Sequence, residues 1–422
     1  MGNRGAHTDL PAEARAWVSR VQTFSSLRYR DYRLLWSGTL FTSAGNWIQQ
    51  VTLGWLIYEM TGSVFLLGAL QGARALPFLV FGPLAGVLCD RFDRRKLLMA
   101  NQVFLALLAL SFAVLVSLGW AQVWHLFAFT TLSGVGWAVN NPLRQTLVAD
   151  SVPRQALANA IALNSIAFNI SRVAGPAVGG LLIALFGPGT NFFIQAACYA
   201  AVALAVFPMR VERQGLAANQ RDSVFANLRE GLNYVAKEQT TLALIVLGMI
   251  PSLLVMPFIT GLMPAFAKDT LHVGPDGLGF LLSTFGIGAI LGLLGLATLG
   301  NIKRKGLVIL GAGIFSGLGM VALSRATTMS LAIPFVIWIG AMHVLYNAIN
   351  NTIIQTITPD ALRGRVMSIY MLDVGLMPLG SLLAGSLASL DAVPLALLVG
   401  GSLTIALILL ASIRFKVIRS VA

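Results

Sequence analysis

The chain has 422 residues, of which 57% are hydrophobic and 11% charged, with a formal net charge of +13. That balance excludes a water-soluble globular domain and fits a polytopic membrane protein whose apolar surface faces lipid. The basic excess does not signal a nucleic-acid partner, because the lysines and arginines are scattered between apolar runs rather than gathered on one solvated face.

Segment 1–32 is polar and basic, and the first apolar run is long and lacks a small-residue cleavage site, so no cleaved signal peptide is expected. About 20 apolar residues span a hydrocarbon core, and the sequence holds twelve such segments. They run near Arg33–Tyr58, Val64–Cys89, Leu97–Gly119, Val123–Ala149, Leu157–Phe186 and Asn191–Met209. After a long linker come Thr241–Ala267, Leu278–Leu299, Leu307–Ser324, Leu331–Ile357, Leu362–Ser389 and Pro394–Ile413. The fold class read from this is an all-α membrane protein of two six-helix halves, residues 33–209 and 241–413. A linker, 210–240, joins them, and 414–422 form a tail.

Placing the N-terminus inside puts 25 of the 29 lysines and arginines in cytoplasmic segments, among them Arg144 and Arg154. Lys268 and Arg325 then lie outside, and Arg74 and Arg172 within the membrane. A wrong helix count would destroy this bias, so both termini are expected in the cytoplasm. In the linker, Phe225, Leu228, Leu232 and Val235 recur at helical spacing, as in an amphipathic helix on the inner face; a plain tether is the competing reading.

A weak repeat supports the division into halves. At a constant offset of 206 residues, Asn141 matches Asn347, Pro153 matches Pro359 and Gly179 matches Gly385. Half-to-half repeats are a feature of secondary transporters. No phosphate loop is present, the four histidines lie far apart, and Cys89 and Cys198 lack metal-ligand or CxxC spacing. Neither ATP-driven pumping, enzymatic chemistry, a metal nor a cofactor is expected.

Between the second and third segments runs Gly86-Val-Leu-Cys-Asp90-Arg91-Phe-Asp93-Arg94-Arg95-Lys96. This resembles the signature loop of the major facilitator superfamily, with Asp93 where the usual pattern has glycine. Gly175-Pro176-Ala-Val-Gly179-Gly180 in the fifth segment resembles the motif of that superfamily's antiporters and exporters. The competing reading is a packing motif, since small residues allow close helix contact and a proline bends the segment. The stretch Phe24 to Gly62, with Arg363-Gly364-Arg365 opening the eleventh segment, resembles the branch of enterobactin exporters and macrolide efflux proteins. The arginine that many drug antiporters carry in the middle of the fourth segment has no counterpart between Leu126 and Val139.

The resemblance implies contacts of a cytoplasmic gate. Asp90 would face the helix opening at Leu362–Arg365, where a carboxylate gains about 0.3–1 kcal/mol from the dipole, and Arg94 would approach Asp150. Arg91 and Arg95 belong to the same loop. The competing reading is that these charges only set topology.

Ionisable groups inside a membrane segment cost roughly 2.5–3.5 kcal/mol on insertion scales, so Arg74, Arg172 and Asp373 are functional candidates. The family brings the second and eleventh helices together, which implies an Arg74–Asp373 pair. Its cavity-lining helices would present Asn46, Gln50, Asn140, Asn141, His343 and Asn347, although interhelical hydrogen bonding is an equal alternative for any one amide. Asp373 is the expected titrating group, because burial raises a carboxylate's pKa.

The expected function is export of an amphipathic drug or siderophore by a monomeric, proton-coupled transporter. The expected location is the cell membrane, the inner one in a bacterium. Uptake or facilitated diffusion is the alternative within transport, and a transport-dead sensor or scaffold is the alternative of another class.

Overall fold

In the computed structural model, residues 24–209, 224–300, 303–390 and 392–420 are described. The side chains at 75, 78–80, 82–91, 224–228, 299, 361 and 374 lie outside that description, and with them Asp90, Arg91, Phe225 and Leu228. The described chain is helical throughout. That follows from its composition, because a backbone in lipid must satisfy every N–H and C=O within itself.

The helices are α1 (Arg30–Thr61), α2 (Val64–Arg91), α3 (Arg94–Ser117), α4 (Val123–Asp150), α5 (Leu157–Phe186) and α6 (Pro188–Val206). Then come α7 (Val224–Lys237), α8 (Gln239–Leu254), α9 (Pro275–Leu299), α10 (Lys305–Leu323), α11 (Met329–Ile357), α12 (Asp360–Tyr370), α13 (Met377–Leu390) and α14 (Val393–Arg414). Nine helical stretches among the described residues are long and apolar enough to cross a membrane. Three further helices, α1, α2 and α4, have 32, 28 and 28 residues and pack among them.

Local chemistry sets the breaks. Gly62 ends α1 at φ +60°, a left-handed conformation that a side chain would strain. Pro188 opens α6 at a position where its missing N–H costs nothing. Asp93 precedes α3 in extended conformation and its Oδ1 accepts from the Lys96 backbone N–H at 3.0 Å. The carboxylate in the signature loop is therefore a helix cap.

Two expected spans are less regular than single α-helices. The α8 run continues to Thr270 through wide π-type turns at Pro257–Gly261 and Phe266–Thr270. Pro251, Pro257 and Pro264 remove backbone donors along it, and the wide turns fall where that ladder is interrupted. The expected single span Leu362–Ser389 is divided into α12 and α13 by a 3₁₀ segment, Met371–Leu376, which carries Asp373.

Packing sorts the helices into a set from α1 to α6 and a set from α8 to α14. Within the first set α1 lies on α5 and α6, α2 on α4, and α3 on α6; within the second α10 lies on α11 and α14, and α9 on α11. Two seams cross between the sets, α5 against α9 and α2 against α13. Glycines make both. A Cβ on Gly180 would stand 2.9 Å from the Gly279 Cα, and one on Gly68 3.2 Å from the Gly385 Cα. With no hydrophobic force between helices in lipid, such backbone approach supplies the packing energy.

Candidate functional site

Both glycine seams lie at one end of the molecule, remote from the loops that hold Arg94, Arg154 and Arg363. At that remote end the Tyr58 hydroxyl donates to Asp269, and Lys268 lies over the rings of Trp55 and Tyr58, 5.9 and 5.7 Å from their centroids. The helix-five motif contributes to this closure. Gly180 meets α9, while Gly175 and Gly179 let α1 approach, with a Cβ on them 2.6 Å from the Trp47 Cβ and 3.2 Å from the Ile48 Cα. Pro176 is buried, and its carbonyl faces Gly279.

Toward the basic end the helices enclose a cavity of about 600 Å³ lined by α1, α4 and α5. Its wall reaches Ala149 and Leu157, the last turn of α4 and the first residue of α5. Arg144 forms part of that wall and is 9% exposed. It donates to the hydroxyls of Thr39 and Thr42, each at 2.8 Å, to the carbonyls of Leu35 and Gly38 at 3.4 and 3.1 Å, and to Asn140 Oδ1 at 3.3 Å. The expectation that Arg144 is a cytoplasmic loop charge is therefore corrected. It ties α4 to α1 inside the helix set, and five oxygens offset its desolvation. The sequence carried a signal for this: Arg144 lies inside its apolar segment, four residues and thus one helical turn beyond Asn140.

Asn140 is buried and also accepts from Gln102 at 3.1 Å, so it is a cross-link of the helix set as well as cavity wall. Asn141 lines the same cavity. A second cavity of about 490 Å³ lies between the sets, walled by α1, α5, the α8 run and α11. Phe168 borders both cavities. The second contains Arg172, His343 and Asn347, three of the expected residues, together with Trp47 and Met256. Among the described residues, neither cavity wall includes an aspartate or glutamate.

Asn46 and Arg74 are joined, Nη2 to Oδ1, at 2.5 Å, and Gln50 lies beside Arg74 in a small pocket with Gln71 and Thr130. The expected Arg74–Asp373 pair is not formed in this conformation. Asp373 accepts from the Ser252 hydroxyl at 2.9 Å, on the 3₁₀ segment that interrupts the helix. The break turns the carboxylate toward α8, whereas the α2 guanidinium reaches α1 within its own set.

In the basic loops Arg94 Nη1 lies 2.6 Å from Asp150 Oδ2, with side-chain exposures of 13% and 6%. Arg95 donates to the Phe207 carbonyl, which fastens α3 to the end of α6. Arg363 pairs with Asp360 at 2.5 Å on the surface and donates to the Gln355 carbonyl at 2.9 Å. Arg365 pairs with Glu230 of α7 at 2.5 Å. The linker helix also presents Gly231 to Ile369 and the Arg365 backbone, and buries Val235. Sequence reading assigned α7 no partner; its docking on α12 was found only in the fold.

Two sets of long apolar helices, closed on each other at one end and holding cavities with a few polar side chains on mostly apolar walls, fit a membrane transporter of the major facilitator type. The chain belongs to the transmembrane secretion effector family, whose model matches residues 21–422. It is a multi-pass membrane transporter and not an enzyme.

Among its relatives are the multidrug efflux pump Tap of Mycolicibacterium fortuitum, 28% identical over 84% of this chain and 88% of the pump. The staphyloferrin A transporter of Staphylococcus aureus is 26% identical over 83% and 88%, and macrolide efflux protein A of Streptococcus pyogenes 25% over 90% and 95%. Among solved structures, a variant of the nucleoside transporter NupG superposes with a TM-score of 0.74 at 13% identity, covering 92% of this chain and 99% of that one. A bacterial homologue of the human lysosomal transporter Spinster, inward-facing and occupied, gives 0.73 at 16% identity, covering 93% and 98%. At these identities the structural likeness is one of fold.

Proposed function

We propose that the protein exports an amphipathic small molecule by alternating access, with twelve spans, two six-helix halves (33–209 and 241–413) joined by 210–240, and both termini in the cytoplasm. The one-sided closure carries this reading. The halves meet through Gly180–Gly279, Gly68–Gly385 and Tyr58–Asp269 at one end, while the cavities lie toward the end rich in arginine. The positive-inside rule makes the basic end cytoplasmic, so the conformation is inward-open and ready to load from the cell interior. The relatives named as efflux pumps support the outward direction.

In this reading the basic loops form the gate that closes in the opposite state. Arg94 and Asp150 hold α3 to α4 as one rigid half, and Asp90 meets the opening of α12, where Arg365 is the exchangeable partner. Export is driven by inward proton movement, with Asp373 as the titrating group. Asp373 sits partly buried on the 3₁₀ break and accepts from the Ser252 hydroxyl of α8, so a change in its protonation acts where the helix is already interrupted.

The test uses everted membrane vesicles with a macrolide as substrate. An imposed proton gradient, acid inside, should drive uptake into the vesicles. Asp373→Asn should abolish gradient-driven uptake while leaving exchange of labelled for unlabelled substrate. Higher accumulation in intact expressing cells than in controls would instead make the protein an importer. No movement of any tested compound would leave the sensor or scaffold reading.

A further inference from the structure

We infer that the cavity between the two helix sets is built for the carboxylate of an amphipathic organic acid, received by Arg172, Trp47 and His343. The inference rests on reading this cavity as part of the transport path and adds the charge class of the cargo.

Arg172, Trp47 and His343 line the same cavity, and each carries an N–H donor. Arg172 lies with Cζ 5.2 Å above the Phe285 ring, and the His343 ring lies 6.0 Å from that same ring, so both are set by one aromatic neighbour. No ion pair holds the Arg172 guanidinium among the described residues. His343 is 9% exposed, and its Nδ1 is buried with no hydrogen-bond partner. The Asn347 amide nitrogen stands 3.0 Å from Nε2; an amide N–H can only donate, so Nε2 accepts and Nδ1 carries the proton. Trp47 supplies the third donor, an indole N–H that is likewise buried without an acceptor.

Buried donors without partners are costly, and a site that leaves them open is complementary to an acceptor that arrives with the ligand. Three donors, one of them cationic, match a carboxylate, which has only acceptor sites and is held best by charge-assisted hydrogen bonds. A cationic cargo would find no carboxylate among the described residues of the wall. Besides Asn347 and Asn351, the lining holds Phe168, Met256 and Val344, which accept a hydrophobic body. Beyond Phe168, the adjoining larger cavity is lined by Asn141, Ser165 and Asn169 among others, so the body of the ligand can carry uncharged oxygen and N–H groups there. The glycine at 175 belongs to this design, because only its missing Cβ lets Trp47 sit where it does.

The test measures binding to the purified full chain in lipid nanodiscs, using probes that differ only in charge. These are fusidate against its methyl ester, and 2-naphthylacetate against 2-naphthylacetamide and 2-naphthylethylamine. The acids should bind about tenfold more tightly than their uncharged counterparts, as expected for a charge-assisted contact, and the amine most weakly. Arg172→Met should remove the preference and Arg172→Lys should keep part of it, with unliganded melting temperatures near that of the parent. Should Arg172→Met fail to fold, Trp47→Phe and His343→Ala provide the second measure, each weakening the acids selectively.

Equal affinity for acid and ester, a preference that survives Arg172→Met, or no binding of either acid would overturn the inference. Vesicle transport separates this outcome from the export reading. Movement of uncharged compounds with no binding of acids would leave export standing and remove the acid class. Binding of acids through Arg172 without movement would leave the site standing and remove export.

Discussion

The Tyr58 hydroxyl, on the last turn of α1, donates to the Asp269 carboxylate at the end of the α8 run, so the two helix sets are latched at the end remote from the basic loops. Hydrogen bonds to a charged group contribute about 1.5–3 kcal/mol. Tyr58→Phe keeps the ring under Lys268 and removes only the O–H, so it should shift the balance toward the state open at that end by roughly tenfold or more. Distances between spin labels placed on the two sets at that end would read the shift; an unchanged distribution would show that the latch does not bias the transition.

The α5–α9 seam allows no side chain. A methyl group on Gly180 would meet the Pro275 carbonyl and the Gly279 Cα, both backbone, so relief requires the helices to part. Gly180→Ala should therefore disfavour the present conformation and slow transport severalfold. Gly261→Ala is the control, since a Cβ there has nothing within 4 Å. Equal transport by the two variants would count against a tight seam in the working cycle.

Arg94 and Asp150 are both mostly buried, and removing either one breaks a close ion pair at low exposure. Such a break costs about 3–5 kcal/mol. Arg94→Ala and Asp150→Ala should each lower the unfolding temperature in detergent clearly, and the double variant should be less damaged than the sum of the two. Additive losses would mean that the pair is not coupled.

Asp93 caps α3 through the Lys96 N–H. Replacing a capping carboxylate by alanine costs about 1 kcal/mol and by glycine only a few tenths. In thermal unfolding Asp93→Ala should therefore be less stable than Asp93→Gly, the residue usual in the resembled loop. The reverse order would show that backbone freedom, rather than the cap, decides this turn.

Much of the candidate site was legible because membrane segments give strong local signals. Arg172, His343 and Asn347 stood out as polar groups in apolar runs, and they line one cavity between the sets. Arg74 and Asp373 stood out for the same reason, but their partners did not follow from that. Each found a neutral oxygen or hydroxyl on a different helix, Asn46 and Ser252, because a guanidinium or carboxylate is satisfied by whichever polar group the local helix rotation presents. Trp47, Trp137 and Tyr58 were overlooked: an aromatic residue in an apolar run gives no sign that it will line a cavity or bond across a seam.

The sequence by itself determined the helices, the membrane setting and the likeness to a transporter, since these depend on run length, charge placement and short motifs. Cap chemistry at Asp93 and the stop at Gly62 are equally local. Only the tertiary structure decided that Arg144 is an internal tie to α1, that Arg365 is held by Glu230 of the linker helix, and that the sets are closed at the Tyr58–Asp269 end. These contacts join residues more than 100 positions apart. They depend on helix rotation and on backbone approach at glycine seams, which no periodicity along one segment encodes.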